Sequence, residues 1–155
     1  MFDYQDLFHV GVRVPVLEDA MAALGDGLRL TWSAVQERQQ QVWIPGEGAG
    51  TIGLRFTYSA EGPQHVELLQ GEPGTIWNGN DLPGVHHMGV WVDDVGAETE
   101  RLVAAGWKLE IAQLSPEDGY GFYSYARSPD GFLLEPVWSG LKPMFERWWA
   151  GGELS

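Results

Sequence analysis

Residues 7–14 read LFHVGVRV and residues 85–92 read VHHMGVWV. Both carry His-x-Gly-Val-x-Val, with His9 matched to His87 and Gly11 to Gly89. Both alternate with a period of two, as half-buried strands do. In the first, Phe8, Val10, Val12 and Val14 form an apolar face, and His9, Gly11 and Arg13 lie opposite. In the second, Met88, Val90 and Val92 form that face, and His87, Gly89 and Trp91 lie opposite. The two histidines therefore sit on the same side of equivalent strands. An internal repeat of this kind decides the architecture before any other feature.

The repeat extends outward from these strands. Residues 17–28 place Leu17, Ala20, Met21, Leu24 and Leu28 at helical spacing. In the second half Asp93 or Asp94 can cap a helix reaching about Ala105, with Val95, Thr99, Leu102 and Val103 on its inner side and Gly106 as a stop. Three strand-like segments follow each helix: 31–36, 51–59 and 65–70, then 107–114, 121–127 and 132–138. Pro45-Gly46, Glu61-Gly62-Pro63 and Pro129-Asp130-Gly131 supply turns. The closing strands match as well, HVELL carrying Glu67 and FLLEPV carrying Glu135.

The predicted fold is α+β: two tandem βαβββ modules forming a cupped mixed sheet around a metal cleft, plus a short C-terminal helix. The whole chain, residues 1–155, is read as a single domain. Module one covers 7–70, a Gly-, Pro- and Asn-rich linker 71–84, module two 85–138 and the terminal helix 141–150.

Composition narrows the function. The chain has 22 acidic and 9 basic residues, a net charge of −13, which repels phosphate backbones and anionic membranes. Nucleic acid and membrane are therefore not expected partners; a small-molecule substrate is. The acidic start MFDYQDLF lacks the features of a signal peptide, so the expected location is cytoplasmic. No cysteine is present, so any metal must be held by nitrogen and oxygen. Eight tryptophans exceed what a core of this size requires and suggest a pocket for an apolar or aromatic ligand.

Each module contributes one histidine on its first strand and one glutamate on its last: His9 and Glu67, then His87 and Glu135. A single such residue on an alternating strand is ordinarily just on the solvated face. Four at equivalent positions of a duplicated pattern point to one divalent metal ion. Two imidazoles and two carboxylates suit Zn, Ni, Co, Mn or Fe, and the carboxylates cancel the charge of the ion. Arg13 shares the ligand face. Trp91, Tyr123 and Tyr125 are candidate substrate-binding walls, although aromatic residues on strands are more often core. His65 should face the way of Glu67, as a surface histidine or a second proton donor. His86 points the other way and reads as structural.

The anchors FHVGVRV, HVELL, HHMGVWV and PDGFLLEPV resemble the vicinal oxygen chelate superfamily over about residues 7–138. That group includes glyoxalase I, methylmalonyl-CoA epimerase, extradiol dioxygenases, fosfomycin-resistance enzymes and bleomycin-binding proteins. The His/Glu/His/Glu set looks most like bacterial glyoxalase I. Methylmalonyl-CoA epimerase often has Gln where this chain has Glu67, extradiol dioxygenases use two His and one Glu, and bleomycin-binding members lack the ligands. The resemblance implies a metal-dependent isomerase, epimerase or lyase that moves a proton beside a carbonyl, with Glu67 or Glu135 leaving the metal to act as base, Glu135 being favoured with Glu67 as its partner across the site. It also admits a ligand-sequestering protein without metal and a ring-opening dioxygenase. In glyoxalase I an arginine at the spacing of Arg13 anchors a glutathione carboxylate; a structural ion pair is the alternative here. Gly25-Asp26-Gly27 departs from the aromatic-containing stretch usual in the first helix, which counts against glutathione. Family members form dimers in several arrangements, so a homodimer is an expected assembly.

Overall fold

The structure, a computed structural model, describes residues 2–155. The fold is mixed α+β with a short C-terminal helix, as expected. Its elements run β1 (Leu7–Arg13), α1 (Leu17–Leu28), β2 (Gln36–Ile44), β3 (Gly48–Tyr58), β4 (His65–Gly71), β5 (Gly84–Val92), α2 (Val95–Ala104), β6 (Lys108–Ala112), β7 (Ser124–Arg127), β8 (Leu133–Trp138) and α3 (Lys142–Trp149). Contacts divide the chain into two compact units. One holds His9–Gln40, Ile52–His86 and Pro143–Ser155. The other holds the residues before His9 together with Gln41–Thr51 and His87–Lys142.

In the unit built around His9, β1 pairs parallel with β4, and β4 pairs antiparallel with β3. The apolar faces of β1 and β4 receive α1. Val14, Leu17 and Leu68 are buried together, with Val12, Ala20, Met21, Leu24, Trp32 and Val66 packed against them. Leu28 falls outside this contact and is exposed. It lies in the last turn of α1, past the sheet residues that cover Leu17 and Leu24. The helix ends on Arg29 in the left-handed region (φ 60°), whose amide donates to Gly25 O.

In the unit built around His87, β5 pairs parallel with β8, β8 antiparallel with β7, and β7 antiparallel with β6. Here α2 covers the sheet. Val90, Val92, Val95, Leu102, Ala112, Tyr120, Ala126 and Leu134 form the core, joined by Leu7. The Asp94 carboxylate accepts from Ala97 N and caps α2, and Gly106 follows it with φ 95°. Val103, expected inward, is exposed.

The first-half strand expected at 31–36 lies later, at Gln36–Ile44. Trp32 makes only a bridge to Ser59, and its indole Nε1 donates to Met21 O (2.9 Å) in the middle of α1. Terminal helix α3 packs in the His9 unit, where Trp148 is fully buried and donates from Nε1 to Ala34 O (3.0 Å). Among the described residues, no helix is long and apolar enough to cross a membrane.

Candidate metal centre

The parallel pairing of first and last strands is what brings each histidine to its glutamate. In the first unit the register sets Gly11 beside Glu67. His9, two residues earlier on β1, points to the same face. Glycine has no side chain, so nothing on β1 separates the two groups. The His9 Nε2 atom lies 3.3 Å from Glu67 Oε1. Both are buried, at 0% and 7% exposure.

The second unit repeats this arrangement residue for residue. Gly89 registers beside Glu135, and His87 Nε2 lies 3.2 Å from Glu135 Oε1. The exposures are 1% and 9%. Each pair therefore presents one imidazole nitrogen and one carboxylate oxygen out of water, with the same atoms facing each other. Taking a carboxylate out of water is costly unless a positive charge or several donors compensate it. A divalent cation is one such charge, and each pair offers a nitrogen and an oxygen donor of the kind that holds one. Nitrogen and oxygen donors without sulfur fit the borderline first-row ions named from the sequence.

The histidines are supported differently. The Tyr58 hydroxyl lies 3.5 Å from His9 Nδ1, and the rings meet edge to face at 5.1 Å. His87 instead stacks on Tyr125, with centroids 4.8 Å apart and 30° between planes. Tyr123 lies 6.0 Å from Tyr125 and donates its hydroxyl to Gln41 O at 2.7 Å. Trp91 is buried and stacked on Phe8 (3.7 Å, 8°). All three predicted pocket aromatics thus sit in the His87 unit, and Tyr125 touches His87 directly. Arg13 donates from Nη1 to the carbonyl of Ile76 (3.0 Å), tying the end of β1 to the linker. Gly79 fits tightly there: a Cβ on it would fall 2.4 Å from Val14 backbone atoms.

His65 corrects the surface reading. It is buried, stacks on Trp149 at 3.6 Å and 17°, and places Nδ1 2.7 Å from Ser59 O. Burial pushes its pKa down, and the bond to Ser59 opposes that shift. It is therefore a neutral imidazole whose Nδ1–H donates to the carbonyl. Helix α3, too distant in sequence for pattern reading to place, supplies the ring that covers it. His86 is buried as well, consistent with a structural role.

Tyr58 and Trp149 were not singled out from the sequence. For Tyr58 a signal was present: residues 55–59, RFTYS, and 122–126, FYSYA, each carry an aromatic, a small hydroxyl residue and a tyrosine in succession. Tyr58 registers opposite Glu67. The pairs Ala126↔Leu134 and Tyr123↔Val137 set Tyr125 in the same place opposite Glu135.

The family model described as the glyoxalase/bleomycin resistance protein/dioxygenase superfamily matches residues 8–123. No curated protein matches the chain by sequence. Among solved structures, a hypothetical protein of Bacillus halodurans is 18% identical, with TM-score 0.57, covering 86% of this chain and 93% of its own. Methylmalonyl-CoA epimerase of Mycobacterium tuberculosis is 17% identical, with TM-score 0.58, covering 89% and 92%. A variant of the Streptomyces coelicolor enzyme, in complex with 2-nitronate-propionyl-CoA, is 15% identical, with TM-score 0.58, covering 86% and 96%. At such identities the likeness is one of fold.

Proposed function

This chain belongs to the glyoxalase/bleomycin resistance protein/dioxygenase superfamily, and from that premise we propose that it is a divalent-metal-dependent isomerase, epimerase or lyase. It moves a proton on the carbon next to a carbonyl of a small, partly apolar substrate. The observation that carries this reading is the duplicated buried pair, His9–Glu67 and His87–Glu135, at 3.3 and 3.2 Å. In the proposal the two pairs together hold one ion. Their two carboxylates match its two positive charges, which gives a reason for burying acids in an already acidic chain.

The ion, when bound, supplies a Lewis acid that draws electron density from a substrate oxygen and makes the neighbouring C–H more acidic. The protein does the rest. Glu135 takes the proton as base, and Glu67 stands as its partner for returning a proton to carbon. His9 and His87 remain neutral donors. Tyr125, with Tyr123 and Trp91, forms an aromatic wall on the His87 side. Arg13 is assigned to an anionic group of the substrate as well as to Ile76. The fold likeness to methylmalonyl-CoA epimerases makes branched acyl thioesters the first substrates to try, with hemithioacetals and cyclic ketones next.

The test is exchange in D₂O without oxygen. Metal-loaded protein should bring deuterium to the carbon beside the carbonyl, and Glu135→Gln should slow this by about 100-fold or more while retaining most of the metal. His87→Ala should lose the ion itself. Turnover that needs Fe or Mn together with O₂ would place the protein among the dioxygenases. Tight ligand binding by metal-free protein, with no turnover, would make it a sequestering protein.

A further inference from the structure

Tyr58 is buried on β3, directly across the sheet from Glu67, with its hydroxyl 3.5 Å from Nδ1 of His9. We propose that Tyr58 is the positioning residue for His9, its hydroxyl reversing its hydrogen-bonding role when an ion binds. This rests on the metal reading given above.

The argument starts from what a buried imidazole needs. Neutral histidine has one N–H and one lone pair, and which nitrogen carries the proton depends on the partners of both. Without an ion, His9 Nε2 faces the Glu67 carboxylate, an acceptor, at 3.3 Å. That favours the proton on Nε2 and leaves the Nδ1 lone pair to accept from Tyr58. With an ion on Nε2 the lone pair must be there, so the proton must reside on Nδ1 and needs an acceptor. A carbonyl at Nδ1 would serve only the second state, and a backbone amide N–H only the first. A hydroxyl serves both, because it donates or accepts on rotating about one bond. The imidazole exchanges its proton through solvent during the change, and no net charge moves. A separation of 3.5 Å is long for this bond, as contacts around a catalytic group often are before it is engaged.

The ring of Tyr58 is held so that only its hydroxyl has this freedom. Phe145 meets it at 5.6 Å and 81°, Trp148 at 5.5 Å and 63°, and Trp149 at 6.0 Å and 38°. All three rings come from α3. Trp148 is itself pinned by its bond to Ala34 O, and Trp149 by its stack on His65. The terminal helix thereby fixes a phenol beside a proposed ligand. Partners of metal-bound histidines are commonly worth about 10–100-fold in metal affinity.

Two measurements test this on the full chain. In the first, Co or Zn is titrated into wild type and Tyr58→Phe, which keeps the ring and loses the hydroxyl. The variant should bind the ion about 10–100-fold more weakly, with the thermal midpoint of its ion-free form nearly unchanged. In the second, nitrogen NMR of the His9 ring in wild type should report the proton on Nε2 without ion and on Nδ1 with it. Wild-type binding with equal affinity in Tyr58→Phe, or one tautomer in both states, overturns the role of Tyr58 and leaves the metal centre standing. Failure of wild type to bind either ion overturns the metal reading and this inference together.

Discussion

Tyr120 shows how one side chain can hold backbone in a region it would otherwise avoid. Its φ is 68°, between Gly119 at 73° and Gly121 at 78°. Glycine adopts such angles freely, whereas a left-handed tyrosine costs about 1–2 kcal/mol. Burial against Val90, Val95 and Leu102 offsets that cost, as do backbone bonds from Tyr120 N to Ser115 O and from Leu114 N to Tyr120 O. The hydroxyl donates to the Glu100 carboxylate. Burial first, and then this bond to a negative group, push the phenol up to about 12. The folded protein therefore holds the proton more tightly than the unfolded chain does. The resulting stability is complete below the ordinary tyrosine range and is lost as pH rises from about 10 through the folded value. Tyr120 should form its phenolate late in an alkaline absorbance titration. That late step should vanish in Tyr120→Phe; its persistence would assign the shift elsewhere.

Helix α1 carries two glycines in its last turn, and they differ. A Cβ at Gly27 meets nothing within 4 Å, whereas at Gly25 it lies 3.1 Å from the Trp32 indole nitrogen and 3.2 Å from Leu30 O. Gly27→Ala should stabilise the protein by about 0.5–1 kcal/mol through helix propensity. Gly25→Ala should forfeit that gain and destabilise, since Trp32 is anchored on Met21 O and cannot retreat freely. Chemical denaturation of the two single variants checks both signs. Both helices were legible because their apolar spacing and the Asp94 cap are local signals. Strand β2 was not, because Gln36-Glu37-Arg38-Gln39-Gln40-Gln41 is polar at every position. Its residues are mostly exposed, so no alternation was there to read. The two His–Glu pairs were legible for the opposite reason. Duplication printed His-x-Gly-Val twice, and parallel pairing sets each of those glycines beside its glutamate.

At the scale of the whole molecule, the net charge of −13 opposes compaction by self-repulsion, and a divalent ion, when bound, would offset part of it. A group that binds only the folded state at about 100 times its dissociation constant adds about 2.7 kcal/mol. For a chain of this size that raises the thermal midpoint by about 5–10 °C. Wild type should show this shift with Zn, Co or Ni and not with Mg alone, which disfavours imidazole. His87→Ala should show little of it, and equal shifts in both proteins would assign the cation effect to surface charge screening. Sequence reading could recognise α3 as amphipathic but not choose its partner, because periodicity says which face is apolar and not what will cover it. The structure gives that partner as Ala34, Phe56, Tyr58 and His65, residues laid down early in the chain. The bond from Trp148 to Ala34 joins positions 114 apart. During synthesis, the ribosome must therefore deliver Trp148 and Trp149 before the His9–Glu67 pair acquires its aromatic backing. Until then the faces of Tyr58 and His65 are surfaces for chaperones to shield, and nascent chains released early would be substrates for quality-control proteases.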